Sequence, residues 1–136
     1  MFPQDDTMKQ LLALFLLASP LAAQTPMSAD EFDAYTQGKT LYYTHKDETY
    51  GAEVYLKDRR VRWSFLDGEC REGIWYPEDE YLCFVYDTDF EPECWLFFDS
   101  GDGLSARLKG DPNPSEVFSA APSTKPMLCL GPDVGV

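Results

Sequence analysis

Short connections constrain this chain more than any motif it carries. Segments of strand character fall at residues 39–45, 51–57, 60–66, 72–76, 81–86, 94–99 and 104–109, and the polar stretches between them are only two to seven residues long. A parallel pair needs a crossover of roughly a dozen residues or more. Consecutive strands must therefore run antiparallel, and the expected fold is a meander.

Alternation assigns the faces. Val54 and Leu56 alternate with Glu53, Tyr55 and Lys57; Val61, Trp63 and Phe65 with Arg60, Arg62 and Ser64; Leu104, Ala106 and Leu108 with Ser105, Arg107 and Lys109. Period two predicts one buried and one wet face for each strand, which puts Val54 and Leu56 inside and Glu53 and Tyr55 outside. The runs LCFVY (82–86) and CWLFF (94–98) are apolar at every position, so both faces of that hairpin need cover, from the helix, the tail or a partner.

The expected architecture is mainly β, a meander closing into a small lipocalin-like barrel of seven or eight strands. Large side chains such as Tyr43, Trp63, Trp75, Phe84 and Trp95 would fill it, and some of the aromatics would line the mouth of a pocket. A short helix precedes the meander at 28–37. Ser28 and Glu31 form a capping box there, Asp30 and Asp33 suit the positive end of its dipole, Gly38 ends it, and Phe32 and Tyr35 share the docking side. The tail at 110–136 is rich in proline and serine, with a further edge strand expected at 116–120 and an apolar run at 127–130.

Residues 1–23 are set apart from this domain. Met8, Lys9 and Gln10 precede the apolar run LLALFLLASPLAA, and Ala23 stands before polar Gln24, as in a secretory signal. Asp5 and Asp6 fit a basic leading region badly, which makes Met8 the expected start. The run is too short to span a bilayer after export, so residues 24–136 are expected to form one exported domain, periplasmic or secreted, with no stable membrane insertion.

Four cysteines in such a chain predict two disulfides. A zinc site fits poorly, because 12, 10 and 34 residues separate successive cysteines and the chain has one histidine. Cys83 and Cys94 lie on neighbouring strands and are the preferred pair, leaving Cys70 with Cys129. The alternative joins Cys70 to Cys83 and Cys94 to Cys129. A bonded Cys129 would lay the tail over one apolar face of the central hairpin.

The chain carries 24 acidic against 11 basic residues, a formal net charge of −13. Repulsion from phosphate excludes nucleic acid and anionic membranes as partners. Glu78, Asp79 and Glu80 crowd one turn, and Asp87, Asp89, Glu91 and Glu93 take every second position of the next loop, on one side if it is extended. Together with Trp95 and Phe97, these four form the candidate contact face for a basic protein or a small apolar ligand. Calcium would also accept such oxygens, and DSGDG (99–103) has a faint calcium-loop look. A carboxylate pair could serve glycoside hydrolysis. The basic group Lys57, Arg59, Arg60 and Arg62 would pair across strands with acids such as Glu53. His45, alone in a polar turn, offers no nucleophile relay.

The order GKTLYY, GAEVYL, RVRWSF, DGECREGIWY, LCFVYD and CWLFF resembles small exported proteobacterial proteins of a family of unknown function. These share a Gly-x-Thr strand (Gly38 to Thr40), a Cys-x-x-Gly-x-Trp element (Cys70 to Trp75) and a Cys-Phe strand (Cys83, Phe84). The resemblance covers most of residues 28–99 and implies a secreted all-β domain, with no catalytic residue, metal or cofactor handed over. In architecture, compartment and charge the chain is also similar to periplasmic lysozyme inhibitors. The expected function is thus a non-enzymatic periplasmic binding or interaction module. A lysozyme-inhibitor-like binder of a basic protein and a carboxylate-dependent enzyme on cell-wall glycans are the alternatives.

Overall fold

The computed structural model describes residues 24–113 and 117–130, so the signal-like segment lies outside the described residues. Helix α1 (Ala29–Thr36) is followed by β1 (Thr40–His45), β2 (Glu48–Tyr55), β3 (Arg60–Ser64), β4 (Arg71–Glu78), β5 (Tyr81–Tyr86), β6 (Asp89–Asp99), β7 (Leu104–Leu108) and β8 (Phe118–Pro122). Each strand pairs antiparallel with the next, and β8 pairs back onto β1 to close a barrel. The tail strand expected at an edge is therefore the closing strand, hydrogen-bonded on both sides.

Turn chemistry explains the tight corners. Lys46 and Asp47 both take positive φ, 51° and 63°, between β1 and β2, as a two-residue hairpin turn that follows strand twist requires. Between β6 and β7, Asp99 Oδ1 accepts the Gly101 N–H at 2.8 Å and the Ser100 N–H donates to the Gly103 carbonyl at 3.0 Å. The DSGDG stretch is thus a hairpin turn whose first carboxylate is committed to the backbone.

Helix α1 starts where the capping box predicts. Ser28 Oγ accepts the Glu31 N–H, and Glu31 Oε1 accepts the Ser28 N–H, each at 3.1 Å. Phe32 plugs one end of the barrel, fully buried, with ring centroids 4.5–6.3 Å from those of Tyr55, Trp75, Phe84 and Phe97. Sealing that end with an aromatic side chain contributes about 1.5–3 kcal/mol from its burial alone.

Both disulfides join the preferred pairs, Cys83 with Cys94 and Cys70 with Cys129. The second closes a loop across a separation of 59 residues, which chain-entropy arguments credit with about 4 kcal/mol. The described residues of the tail it anchors do not lie over the outer face of the central hairpin. Tyr42 Oη donates to the Lys125 carbonyl at 3.0 Å and the Leu130 N–H to the Gly68 carbonyl at 2.6 Å, which places the tail outside β1 and against the β3–β4 loop. The outer face of β5 and β6 is served by the Cys83–Cys94 bridge, and Phe98 there lies under the Arg107 guanidinium, 5.7 Å from its ring.

Strand β2 has the opposite parity to that expected from its apolar residues. Leu41, Glu53 and Trp63 occupy one rung across β1, β2 and β3, and Leu41 points inward, so Glu53 and Tyr55 face the lumen and Val54 faces out. Glu53 therefore pairs with none of the basic residues near the β2–β3 turn. The ion pair of that region runs outside, between Arg62 and Glu72.

Candidate binding site in the barrel lumen

Among the described residues nothing closes the end of the barrel opposite α1. A cavity of about 180 Å³ descends from it, with Tyr43, Trp63, Phe84, Trp95 and Phe97 in its walls, Glu53 and Tyr86 deep inside, and Phe65, Arg71, Thr88, Asp89, Glu91 and Glu93 toward the mouth. Two glycines make room for this lining. A Cβ on Gly51 would collide with the Trp63 ring, and one on Gly73 would collide with the Val85 carbonyl and lie 2.7 Å from the Tyr86 ring. Neither position tolerates a side chain while those rings stay inside.

Glu53 is the unusual member. It is 1% exposed, Tyr86 Oη donates to its Oε1 at 2.6 Å, and its Oε2 has no hydrogen-bond partner among the described residues. Among the described residues no basic side chain forms an ion pair with it. Burial pushes its carboxyl up to about 8, against the opposing Tyr86 hydrogen bond and with reinforcement from the nearby Glu93 charge. A charge removed from water without a partner is expensive, so the group holds its proton instead. Burial also raises the Glu93 carboxyl at the rim. The hydroxyls of Tyr43, Tyr55 and Tyr86 are held well above the usual tyrosine range, chiefly by burial, and that of Tyr50 is raised by burial and by Glu93 and Glu53. The Tyr43 and Tyr55 hydroxyls hydrogen-bond each other.

The acidic stretch expected as a loop is largely strand. The connection contracts to a turn at Asp87 and Thr88, and β6 begins at Asp89. Because β6 is extended, Asp89, Glu91, Glu93, Trp95 and Phe97 share its inner side and all line the cavity. Asp87 does not join them; it lies in the turn, where its N–H donates to the Glu72 carbonyl at 2.9 Å. Alternation alone does not find Glu53, Tyr50 and Arg71. The expected parity of β2 is the reverse of the true one because Val54 and Leu56 look like a core face. Gly51, Glu53 and Tyr55 form the inner row, and a glycine alternating toward an aromatic residue is the signal that could have found it.

Arg71, at the mouth of the cavity, stacks on Phe65, 5.0 Å from its ring centroid. The other sequence candidates fall elsewhere. His45 lies at the end of β1, stacked on Phe118 with centroids 3.9 Å apart. Among the described residues, the one grouping with metal-ligand spacing is Glu78 with Cys83 and Cys94, and both sulfurs there are bonded to each other. No protein-family model, curated protein or solved structure matches this chain.

Proposed function

We propose that the chain is a non-enzymatic binding module of the periplasm or the extracellular space that takes a small ligand into the barrel lumen. The observation that carries this reading is the one-ended aromatic cavity with a buried carboxyl at depth. Its volume is close to that of engineered apolar cavities that accept a benzene-sized guest. Binding sites of this kind combine apolar walls with few converging polar groups. The export assignment draws support from the two disulfides, which persist in oxidising compartments, and from the signal-like leader.

Trp63 and Trp95 line the lumen, so occupancy is readable by tryptophan fluorescence. Titration with benzyl alcohol is expected to give a saturable change; a response that stays linear would overturn the reading.

The rival is carboxylate-dependent hydrolysis of cell-wall glycans, and the observation in its favour is that Glu53 and Glu93 share one lumen. Against it stands the shape. A polymer needs room on both sides of the scissile bond, whereas α1 closes this lumen below, and the volume admits about one ring. A basic protein docking on the β5–β6 tip is the other reading, favoured by Phe90, 81% exposed between Asp89 and Glu91. Replacing Asp87, Asp89, Glu91 and Glu93 by their amides should abolish capture of that partner, and unchanged capture would remove the tip as the contact.

A further inference from the structure

Resting on the lumen as a ligand site, we propose that its ligand is a small organic monocation, an ammonium carried on one ring or a short alkyl body. The charged group meets Glu53 Oε2, and the body lies against Trp63, Phe84 and Trp95.

Three independent observations converge on this class. The first is the acceptor: Glu53 is buried, Oε1 is taken by Tyr86, and Oε2 has no partner among the described residues. Buried polar atoms are nearly always paired, and each exception asks for a water, an ion or a ligand group. An ammonium supplies the missing donor and the missing countercharge together.

The second is the wall. Tyrosine and tryptophan faces attract cations through their ring quadrupoles, and attraction grows where water is excluded. The lumen is lined by Tyr43, Tyr50, Trp63 and Trp95.

The third is sign. An anion entering the lumen would pass Asp89, Glu91 and Glu93 before meeting Glu53, whereas a cation is drawn in by the same rim. Among the described residues Arg71 is the one basic lining residue, and it lies toward the mouth, stacked on Phe65. The volume limits the part of the ligand held inside the lumen to roughly benzene size.

Protonation sets the pH behaviour. The titratable groups around Glu53 are Tyr43, Tyr50, Tyr55, Tyr86 and Glu93, with Arg71, Asp89 and Glu91 lining the lumen toward its mouth. The tyrosines keep their protons, since their hydroxyls are raised. Without ligand, Glu53 holds a proton up to about pH 8. An arriving ammonium pairs with the ionised carboxylate, so the carboxyl proton passes to buffer as the ion pair forms. Affinity then rises by up to about tenfold per pH unit below that value.

The test titrates the disulfide-bonded protein with benzylammonium, benzyl alcohol and benzoate at pH 6 and pH 8. At pH 8 benzylammonium should bind at least about tenfold more tightly than benzyl alcohol, with benzoate weakest, and the amine's advantage should shrink at pH 6. Calorimetry in two buffers of different ionisation enthalpy should show close to one proton released per amine bound at pH 7. Glu53→Gln should abolish the amine's advantage over the alcohol at pH 8. Glu93→Gln, at the rim, should cost the amine only about threefold and serves as the variant if Glu53→Gln fails to fold. Equal binding of amine and alcohol, or preference for benzoate, overturns the cation assignment and leaves the lumen reading standing. Binding by none of the three overturns both.

Discussion

The two ends of the barrel are built on opposite terms. At the end sealed by α1, Phe32, Tyr55, Trp75 and Phe97 pack ring against ring in a core whose largest members are under 2% exposed. At the open end the same strands carry Glu53, with one oxygen unpartnered, below a rim of carboxylates. Exposed apolar side chains gather there too: Phe65 and Leu66 in the β3–β4 loop, Phe90 at the start of β6 and Val117 just before β8. One end is optimised for burial and the other gives up stability, which is the trade expected where a protein keeps a site for something else.

The sealed end should show the largest single effect. Phe32→Ala removes the plug from a closed core, and truncating a buried phenylalanine costs about 3–5 kcal/mol. Chemical denaturation should place its midpoint far below that of the wild type. A near-wild-type midpoint would mean that the helix is not what closes the barrel, and the contrast between the ends would fall.

The open end should respond in the opposite direction. In the unfolded chain the Glu53 carboxyl returns to its usual value near 4.5, whereas folded it is pushed up to about 8. The folded state therefore keeps a proton that the unfolded state has released, so stability falls as pH rises from about 4.5 to 8 and levels off above. Glu93, raised for the same reason, adds to the slope with the same sign. Glu53→Gln removes the Glu53 share of this dependence. At pH 8 it should stabilise the protein by on the order of 2–4 kcal/mol, because each pH unit between the unfolded and folded values is worth about 1.4 kcal/mol, less the cost of an amide left without its partners. Melting curves of both proteins between pH 5 and 8 decide it: parallel slopes would show that Glu53 is not the buried acid.

Much of the sealed end was legible in the sequence, and at the open end the β6 row of Asp89, Glu91, Glu93, Trp95 and Phe97 was legible while the β2 row was not. Short polar connections dictate antiparallel neighbours whatever the side chains do, and Ser28 with Glu31 fixes the helix start through backbone groups that any fold must satisfy. Cys83 and Cys94 were pairable because hairpin neighbours face each other. The lumen depends on parity, and parity in β2 could not be judged locally. A strand reading Gly51, Ala52, Glu53, Val54, Tyr55 has a plausible core face either way, and only the shared rung of Leu41, Glu53 and Trp63 decides it. A buried acid also contradicts the rule by which faces are assigned, so the residue that matters most at the open end was the one the rule sends outside. The tail escaped for a different reason: Cys129 fixes where it ends, but nothing in its composition says which side of the barrel it crosses.

The smallest effect sharpens the comparison most, because it separates the acid from its neighbour. Tyr86→Phe keeps the ring that Gly73 accommodates and removes only the hydroxyl that donates to Glu53 Oε1. That hydrogen bond holds the Glu53 carboxyl below where burial alone would put it, so its loss should move the titration of Glu53 to higher pH. Stability at pH 5, where Glu53 is protonated in the folded state of either protein, should change by only about 0.5–1.5 kcal/mol. The fall with pH should continue further into the alkaline range than in the wild type, because the folded-state value is higher while the unfolded one is the same. A carbon-13 titration of the side-chain carboxyl follows the group directly. A downward move in Tyr86→Phe would mean that the hydroxyl favours the protonated form, and the account of Glu53 as an acid restrained by Tyr86 would have to be reversed.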